Sequence, residues 1–147
     1  KGDMIKDKIR QLIFEDGERT SVGILVLCEE TNKVLLLKRN VDPHKGKWSM
    51  LSGAVDKGES KMTALKRDVM EEIKVNADDK LNITYQYSEG GGDDKFYYYR
   101  GFTNSEFKCK LDEENSEYGW FSSDELPSPL YPKTKEKIEE LCQKNKR

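Results

Sequence analysis

The sequence lacks the features that would place it outside water or outside a reducing compartment. No apolar run approaches the roughly 18 residues needed to span a bilayer, and no hydrophobic leader opens the chain, so no membrane association is expected. Cysteine is scarce: Cys28, Cys109 and Cys142 are an odd number without metal-ligand spacing, which argues against a disulfide framework and points to reduced thiols in a cytoplasmic location. An excess of one charge is also missing. The 26 Lys and Arg nearly balance 28 Asp and Glu, for a formal net charge of −2, so no global field draws the chain to nucleic acid or to a membrane surface.

What is present is charge of both signs, at 37% of residues, with a mean hydropathy of −0.89. A disordered chain usually combines low hydropathy with large net charge, and the second condition fails here. The expectation is a folded domain with a very polar surface, a single one over residues 1–147.

Along the chain, a short strand is expected near Ile9 to Phe14. Val22 to Cys28 and Lys33 to Lys38 are apolar runs separated by the polar turn E-E-T-N, which reads as a hairpin of buried strands. The stretch N-V-D-P-H-K-G-K-W-S-M-L-S-G carries Pro43, Gly46 and Gly53 and reads as loop with a brief strand at Trp48 to Leu51. Met62, Leu65, Val69 and Ile73 recur at helical spacing and predict an α-helix from about Ser60 to Lys74. Two further strands come next, the first alternating through Leu81, Ile83, Tyr85 and Tyr87 and the second holding Phe96 to Tyr99. A mobile Ser88 to Asp94 loop is expected between them. In that second strand two of the four rings are expected in the core and two outside it. A strand near Trp120 and a last helix capped by Thr134 complete a mixed α and β chain.

The central helix raises the functional question. At about 100° per residue, Asp68, Glu71 and Glu72 share one sector beside the apolar stripe. Like charges three and four residues apart repel by a few tenths of a kcal/mol each, and Lys66 and Arg67 soften this only partly. The sector is either a solvated face or a site for a hard divalent cation, since Mg²⁺ takes carboxylate oxygens together with waters and phosphate. Ala64, one turn earlier in the same sector, would leave space for a ligand.

The stretch G-A-V-D-K-G-E-S-K-M-T-A-L-K-R-D-V-M-E-E-I-K-V, Gly53 to Val75, resembles the Nudix box, G-x5-E-x7-R-E-U-x-E-E-x-G-U with U a bulky apolar residue. Gly53, Glu59, Arg67, Val69, Glu71, Glu72 and Val75 fall in register, whereas Asp68 stands where the family has Glu and Lys74 where it has Gly. The resemblance extends from about Val22 to the last helix. W-S-M-L-S-G is similar to the family's strand before the box, with Leu51 and Ser52 in place of its Pro and first Gly, and W-F-S-S-D-E-L-P to an element that often comes after its sheet.

The resemblance implies an α/β fold, the Nudix-like α/β/α sandwich around a mixed β-sheet. It also implies Mg²⁺- or Mn²⁺-dependent cleavage of the pyrophosphate link in a nucleoside diphosphate joined to another moiety, of the ADP-ribose or dinucleoside polyphosphate kind. Glu71 and Glu72 would be metal ligands, Asp68 a ligand or the holder of the attacking water, and the Gly53 carbonyl a further ligand. Arg67 would orient the carboxylates and Glu59 would support it, the lesser alternative being that Glu59 merely caps the helix start with Asp56. Asp68 is one methylene shorter than Glu, which puts its reach in question. Lys74 replaces a left-handed glycine cap, a conformation that Asn76 is then expected to adopt instead.

Arg39, at the end of a hairpin strand, is a candidate for binding substrate phosphate, and His44 reads as an exposed loop residue. Among Glu113, Glu114 and Glu117, Glu114 or Glu117 is the candidate acid contributed from a loop. The family's subclass markers are not evident: no proline lies about fifteen residues beyond the box, and Gly92 stands where a tyrosine marks dinucleoside polyphosphate enzymes. Two alternative readings stand beside the first, a nucleoside triphosphate pyrophosphatase and a binding module with weakened catalysis. A small-molecule nucleotide is the expected partner, without nucleic acid except that capped RNA stays open, as does a homodimer.

Overall fold

A computed structural model describes residues 19–91 and 93–143. The strand expected near Ile9 to Phe14 lies outside the described residues. The first strand, β1 (Arg19–Cys28), is buried from Val22 to Cys28 because it is central and covered on both faces, which is why its sequence is a continuous apolar run and not an alternation. It turns through residues 29–32 into β2 (Lys33–Arg39), with Leu27 opposite Val34 and Cys28 opposite Lys33. Beyond those two pairs the hairpin splays apart. The freed edge of β1 pairs with β4 (Leu51–Ala54), and that of β2 with β3 (Trp48–Ser49). The brief strand expected at Trp48 to Leu51 is therefore two strands, each on a different neighbour.

The remaining strands are β5 (Asn82–Gly91), β6 (Asp94–Thr103) and β7 (Asn115–Ser122). β6 runs parallel to β1 over its whole length and antiparallel to β5, while β7 covers the other edge of β2. The result is a mixed seven-stranded sheet. Helix α1 (Lys61–Ile73) and the single-turn α2 (Ala77–Lys80), which the sequence pattern does not announce, come after β4; α3 (Thr134–Gln143) ends the described chain.

Two apolar layers hold this α/β/α sandwich together. On one face Ala64, Leu65, Val69 and Ile73 of α1 pack on Val22, Ile24, Val26, Leu35 and Leu37. On the other, Ile138 and Leu141 of α3 pack on Leu25, Leu27, Val34 and Leu36. Each fully buried Leu, Ile or Val contributes about 1.5–3 kcal/mol. Helix α1 begins where Ser60 accepts a hydrogen bond from the Thr63 N–H at 3.1 Å, a cap worth about 1 kcal/mol. It ends at Lys74, which takes the left-handed conformation itself (φ 58°, ψ 40°). Asn76, expected there instead, is extended (φ −80°) and caps α2 through its side chain.

The Ser88 to Asp94 segment departs most from expectation. Ser88, Glu89, Gly90 and Gly91 sit in the β5 ladder opposite Tyr97, Phe96, Lys95 and Asp94, so the pairing runs to the Gly91–Asp94 pair and leaves no long loop. A bulge between Tyr85 and Tyr87 shifts the strand's facing at this point. Tyr87 then points toward α3, where it stacks on Tyr98, and Phe96 stacks on Tyr98 in turn. All four rings from Phe96 to Tyr99 are at least half-buried, because α3 covers the face expected to stay open. Lys137 of α3, 8% exposed, pairs with Glu89 and Glu140 and lies over the rings of Tyr87 and Tyr98.

Candidate active site

The geometry centres on Arg67, which the helical register of α1 aims at the turn preceding the helix. Asp56 opens that turn, and its N–H donates to Glu59 Oε1 at 2.9 Å. Gly58, at φ +82°, supplies a left-handed backbone position inside it. Glu59 thus caps the turn and also receives Arg67, so the two roles left open by the sequence coexist. Arg67 Nε and Nη2 donate to the two Glu59 oxygens, each at 2.8 Å, the forked geometry in which a guanidinium binds a carboxylate most strongly. Nη2 also donates to the Ala54 carbonyl at 3.0 Å, tying α1 to β4.

The remaining nitrogen, Nη1, faces the acidic sector, donating to Asp68 Oδ1 at 3.1 Å and Glu71 Oε1 at 3.3 Å. The Glu59 hydrogen bonds, opposed by burial and reinforced by the charges of Asp68 and Asp56, raise the proton affinity of Arg67, which is a fixed cation here. One guanidinium therefore neutralises part of a cluster that would otherwise repel itself.

Asp68 differs from the exposed carboxylate its helical position suggests. It is 3% exposed and lies directly against Gly53 of β4: a Cβ on Gly53 would stand 2.0 Å from Asp68 Oδ2 and 2.4 Å from its Cγ. Glycine is required at 53 because this carboxylate occupies the space. Ala64, expected to leave room for a ligand, is instead fully buried in the core beneath α1.

Glu72 is half-buried, and its carboxyl is held well above the usual 4.5, first by burial and then by the charges of Asp68, Asp112, Glu114 and Glu71. That set places Glu114, of the two candidate loop acids, near enough to act on Glu72, together with Asp112, whose signal in the sequence is only its place in the D-E-E run before β7. The backbone brings both in, since the Lys110 N–H donates to the Ile73 carbonyl at the end of α1 and draws the loop alongside the helix. Glu117 points elsewhere and pairs with Lys38 across β7 and β2 at 3.4 Å. Arg39 is also turned away from the acids: its Nε donates to the Pro43 carbonyl and its guanidinium lies 5.4 Å from the Tyr131 ring centre. His44, half-buried against Tyr131, is not the exposed loop residue expected.

Among the described residues no group of three or more His, Cys, Asp or Glu side chains is arranged to enclose a metal ion unaided. Arg67 draws one oxygen each from Asp68 and Glu71 to itself. The donor set nonetheless fits Mg²⁺ or Mn²⁺, which usually take one or two protein carboxylates and complete their shell with waters and substrate phosphate. Two observations support the fit: acid density that, together with burial, raises the proton affinity of Glu72, and the glycine cradle that brings the β4 backbone against Asp68.

Comparison with known proteins adds a family match, two curated relatives and a solved structure. A family model described as NUDIX domain matches residues 17–142. Among curated relatives, an RNA pyrophosphohydrolase from Pelagibacter ubique is 46% identical over 57 residues, 39% of this chain and 35% of that protein. A putative nudix hydrolase 1 from Caenorhabditis elegans is 26% identical over 126 residues, 84% of this chain and 34% of that protein. The chain thus spans about a third of the length of these relatives. Among solved structures, the NUDIX domain of Shewanella oneidensis NrtR, crystallised with ADP ribose, superposes with a TM-score of 0.74 at 21% identity, covering 88% of this chain and 90% of that one. At that identity the likeness concerns the fold.

Proposed function

This chain belongs to the Nudix family, and from that premise we propose that it is a divalent-metal-dependent hydrolase cleaving the pyrophosphate link of a nucleoside diphosphate joined to a second moiety. The observation that carries the reading is the Arg67 fork: one guanidinium bound to both Glu59 oxygens on one side and to Asp68 and Glu71 on the other. A purely solvated helix face has no need of a part-buried bidentate clamp behind it. The same intact clamp argues against a binding module that has lost catalysis.

The Gly53 carbonyl, Asp68, Glu71 and Glu72 are the groups that would hold Mg²⁺ or Mn²⁺. When bound, such an ion neutralises phosphate oxygens and lowers the pKa of water. The chain's own part is positional. Glu59 locks Arg67, Arg67 holds one oxygen each of Asp68 and Glu71, and Gly53 allows β4 to approach. Glu114 and Asp112 close the acidic side from the loop. The hydrolysis adds one water across the P–O–P bridge, forming one P–O bond and breaking another. Fixed dipoles and charges that need not reorganise are the main way a protein lowers such a barrier.

The 57-residue match to an RNA pyrophosphohydrolase supports the reaction class. It covers too little of the chain to carry RNA as the substrate. The second reading, removal of pyrophosphate from nucleoside triphosphates, uses the same groups and differs only in what lies beyond the diphosphate. Comparing kcat/KM for ADP-ribose, dinucleoside polyphosphates, nucleoside triphosphates and 5′-triphosphorylated or capped RNA tests the assignment. The lead reading expects one of the first two to be preferred by at least about tenfold, a transition-state difference of about 1.4 kcal/mol. A preference of that size for triphosphates would replace it with the second.

A further inference from the structure

We propose that Asn40 is a positioning residue, which clamps the acidic loop 112–114 so that Glu114 faces Glu72 across the site. The inference rests on the reading that this carboxylate cluster receives a divalent ion, and it concerns a residue outside the box. β2 ends at Arg39, and its pairing with β7 slips there: Lys38 lies opposite Glu117 but Arg39 opposite Asn115, leaving Ser116 as an extra residue. A bulge of this kind ends regular pairing and re-aims the neighbouring residues. Asn40 takes over from the ladder. Its N–H donates to the Glu114 carbonyl at 2.8 Å and its Nδ2 to the Glu113 carbonyl at 3.2 Å, so one residue holds two successive peptide units.

The need for a clamp arises from the charge around it. Asp112, Glu113 and Glu114 are consecutive acids, and Glu114 and Asp112 both add to the field on Glu72. Mutual repulsion pushes such a loop toward solvent. Contacts that oppose that motion include Lys110 on the Ile73 carbonyl, the Asp112 carboxylate accepting from the Glu114 N–H at 3.0 Å, and Asn40. The first fixes where the loop leaves α1 and the second its internal turn, whereas Asn40 ties its far end to the sheet. The side-chain half of the clamp requires a donor of this length. An amide meets that need without adding a cation that would compete for the carboxylates, and Asp in its place would set a carboxylate against a carbonyl.

The test uses the whole chain, with Mn²⁺ as the probe in titrations followed by electron paramagnetic resonance without substrate. Thermal unfolding in EDTA first establishes that each variant is folded. Asn40→Ala is expected to weaken Mn²⁺ binding about tenfold, the size typical of residues that orient metal-binding groups, and Asn40→Asp at least as much. In a Glu114→Gln background Asn40→Ala is expected to add less than about twofold, because a residue acting through Glu114 has nothing left to position. The turnover number should show the same non-additivity, with KM within about twofold. Unchanged Mn²⁺ affinity in Asn40→Ala, or losses that add to those of Glu114→Gln, would overturn the proposal. Failure of the underlying reading looks different: Glu72→Gln would keep full hydrolytic activity whatever Asn40 does.

Discussion

Replacing Gly53 by alanine is the sharpest perturbation the geometry offers, because it adds one methyl group where a carboxylate already sits. The new Cβ would stand 2.0, 2.4 and 2.6 Å from Oδ2, Cγ and Oδ1 of Asp68, against ordinary non-bonded separations of about 3.5 Å. The carboxylate must retreat by more than about 1 Å. Asp68 has little room, being 3% exposed and bound to Arg67 Nη1 at 3.1 Å, so its retreat breaks that bond or shifts α1 off β4. Overpacking of this kind costs about 1–3 kcal/mol, and in a chain of this size each kcal/mol lowers Tm by about 2–4 °C. The effect on turnover is expected to be larger, at least about a hundredfold, since displacement by 1 Å at a reacting centre has that consequence. Circular dichroism melts and Mg²⁺-dependent turnover, measured on one preparation, separate the two effects. A folded Gly53→Ala protein with wild-type kcat would refute the claim that the approach of β4 to Asp68 organises the site.

Glu72→Gln is expected to lower turnover by orders of magnitude with the fold intact. Because the folded carboxyl is held above 4.5, the metal-free protein should be fully stabilised by this group only below about pH 4.5 and lose that stability as pH rises through the raised value. Urea melts in EDTA should show this slope in the wild type and less of it in Glu72→Gln; equal slopes would count against the crowding of acids there. Lys74→Gly should raise Tm by about 2–4 °C, since a left-handed residue other than glycine costs about 1 kcal/mol, and an unchanged Tm would mean that the Lys74 ammonium bond to the Glu71 carbonyl compensates. Lys137→Ala should destabilise by about 1–2 kcal/mol, below the full value for a buried pair because Glu89 and Glu140 are half-exposed, and should leave kcat unchanged. Burial pushes the Cys109 thiol up from 9.0 to about 12, so iodoacetamide at pH 8 should label it about a thousandfold more slowly in the native protein than in urea, as followed by mass spectrometry.

What the sequence made legible was local. The α1 stripe, its Ser60 start and the buried β1–β2 hairpin are written in spacing, because each depends on neighbours a few residues away. What it hid depends on distant partners. Asp68 reads as a candidate ligand on the helix face, and its burial against Gly53 and bond to Arg67 depend on partners that its own segment does not reveal. Gly90 and Gly91 read as loop, yet they continue the ladder because β6 supplies the pairing and Glu89 is anchored by Lys137 from the other end of the chain. Asp112 comes alongside the end of α1 because the Lys110 N–H bonds to the Ile73 carbonyl, which no pattern in its own segment announces. Arg39 sits at the expected strand end, but its direction is set by Pro43 and Tyr131 and not by the acids.

The most direct test of the central claim is product analysis by phosphorus NMR after incubating wild type and Glu72→Gln, each with Mg²⁺ and with EDTA, over a panel of nucleotide sugars, ADP-ribose, dinucleoside polyphosphates, triphosphates and capped RNA. The account predicts that at least one compound is cleaved between two phosphorus atoms by the wild type with Mg²⁺, and by neither the EDTA-treated protein nor the variant. Absence of such cleavage across the panel, or equal cleavage by Glu72→Gln, would contradict it.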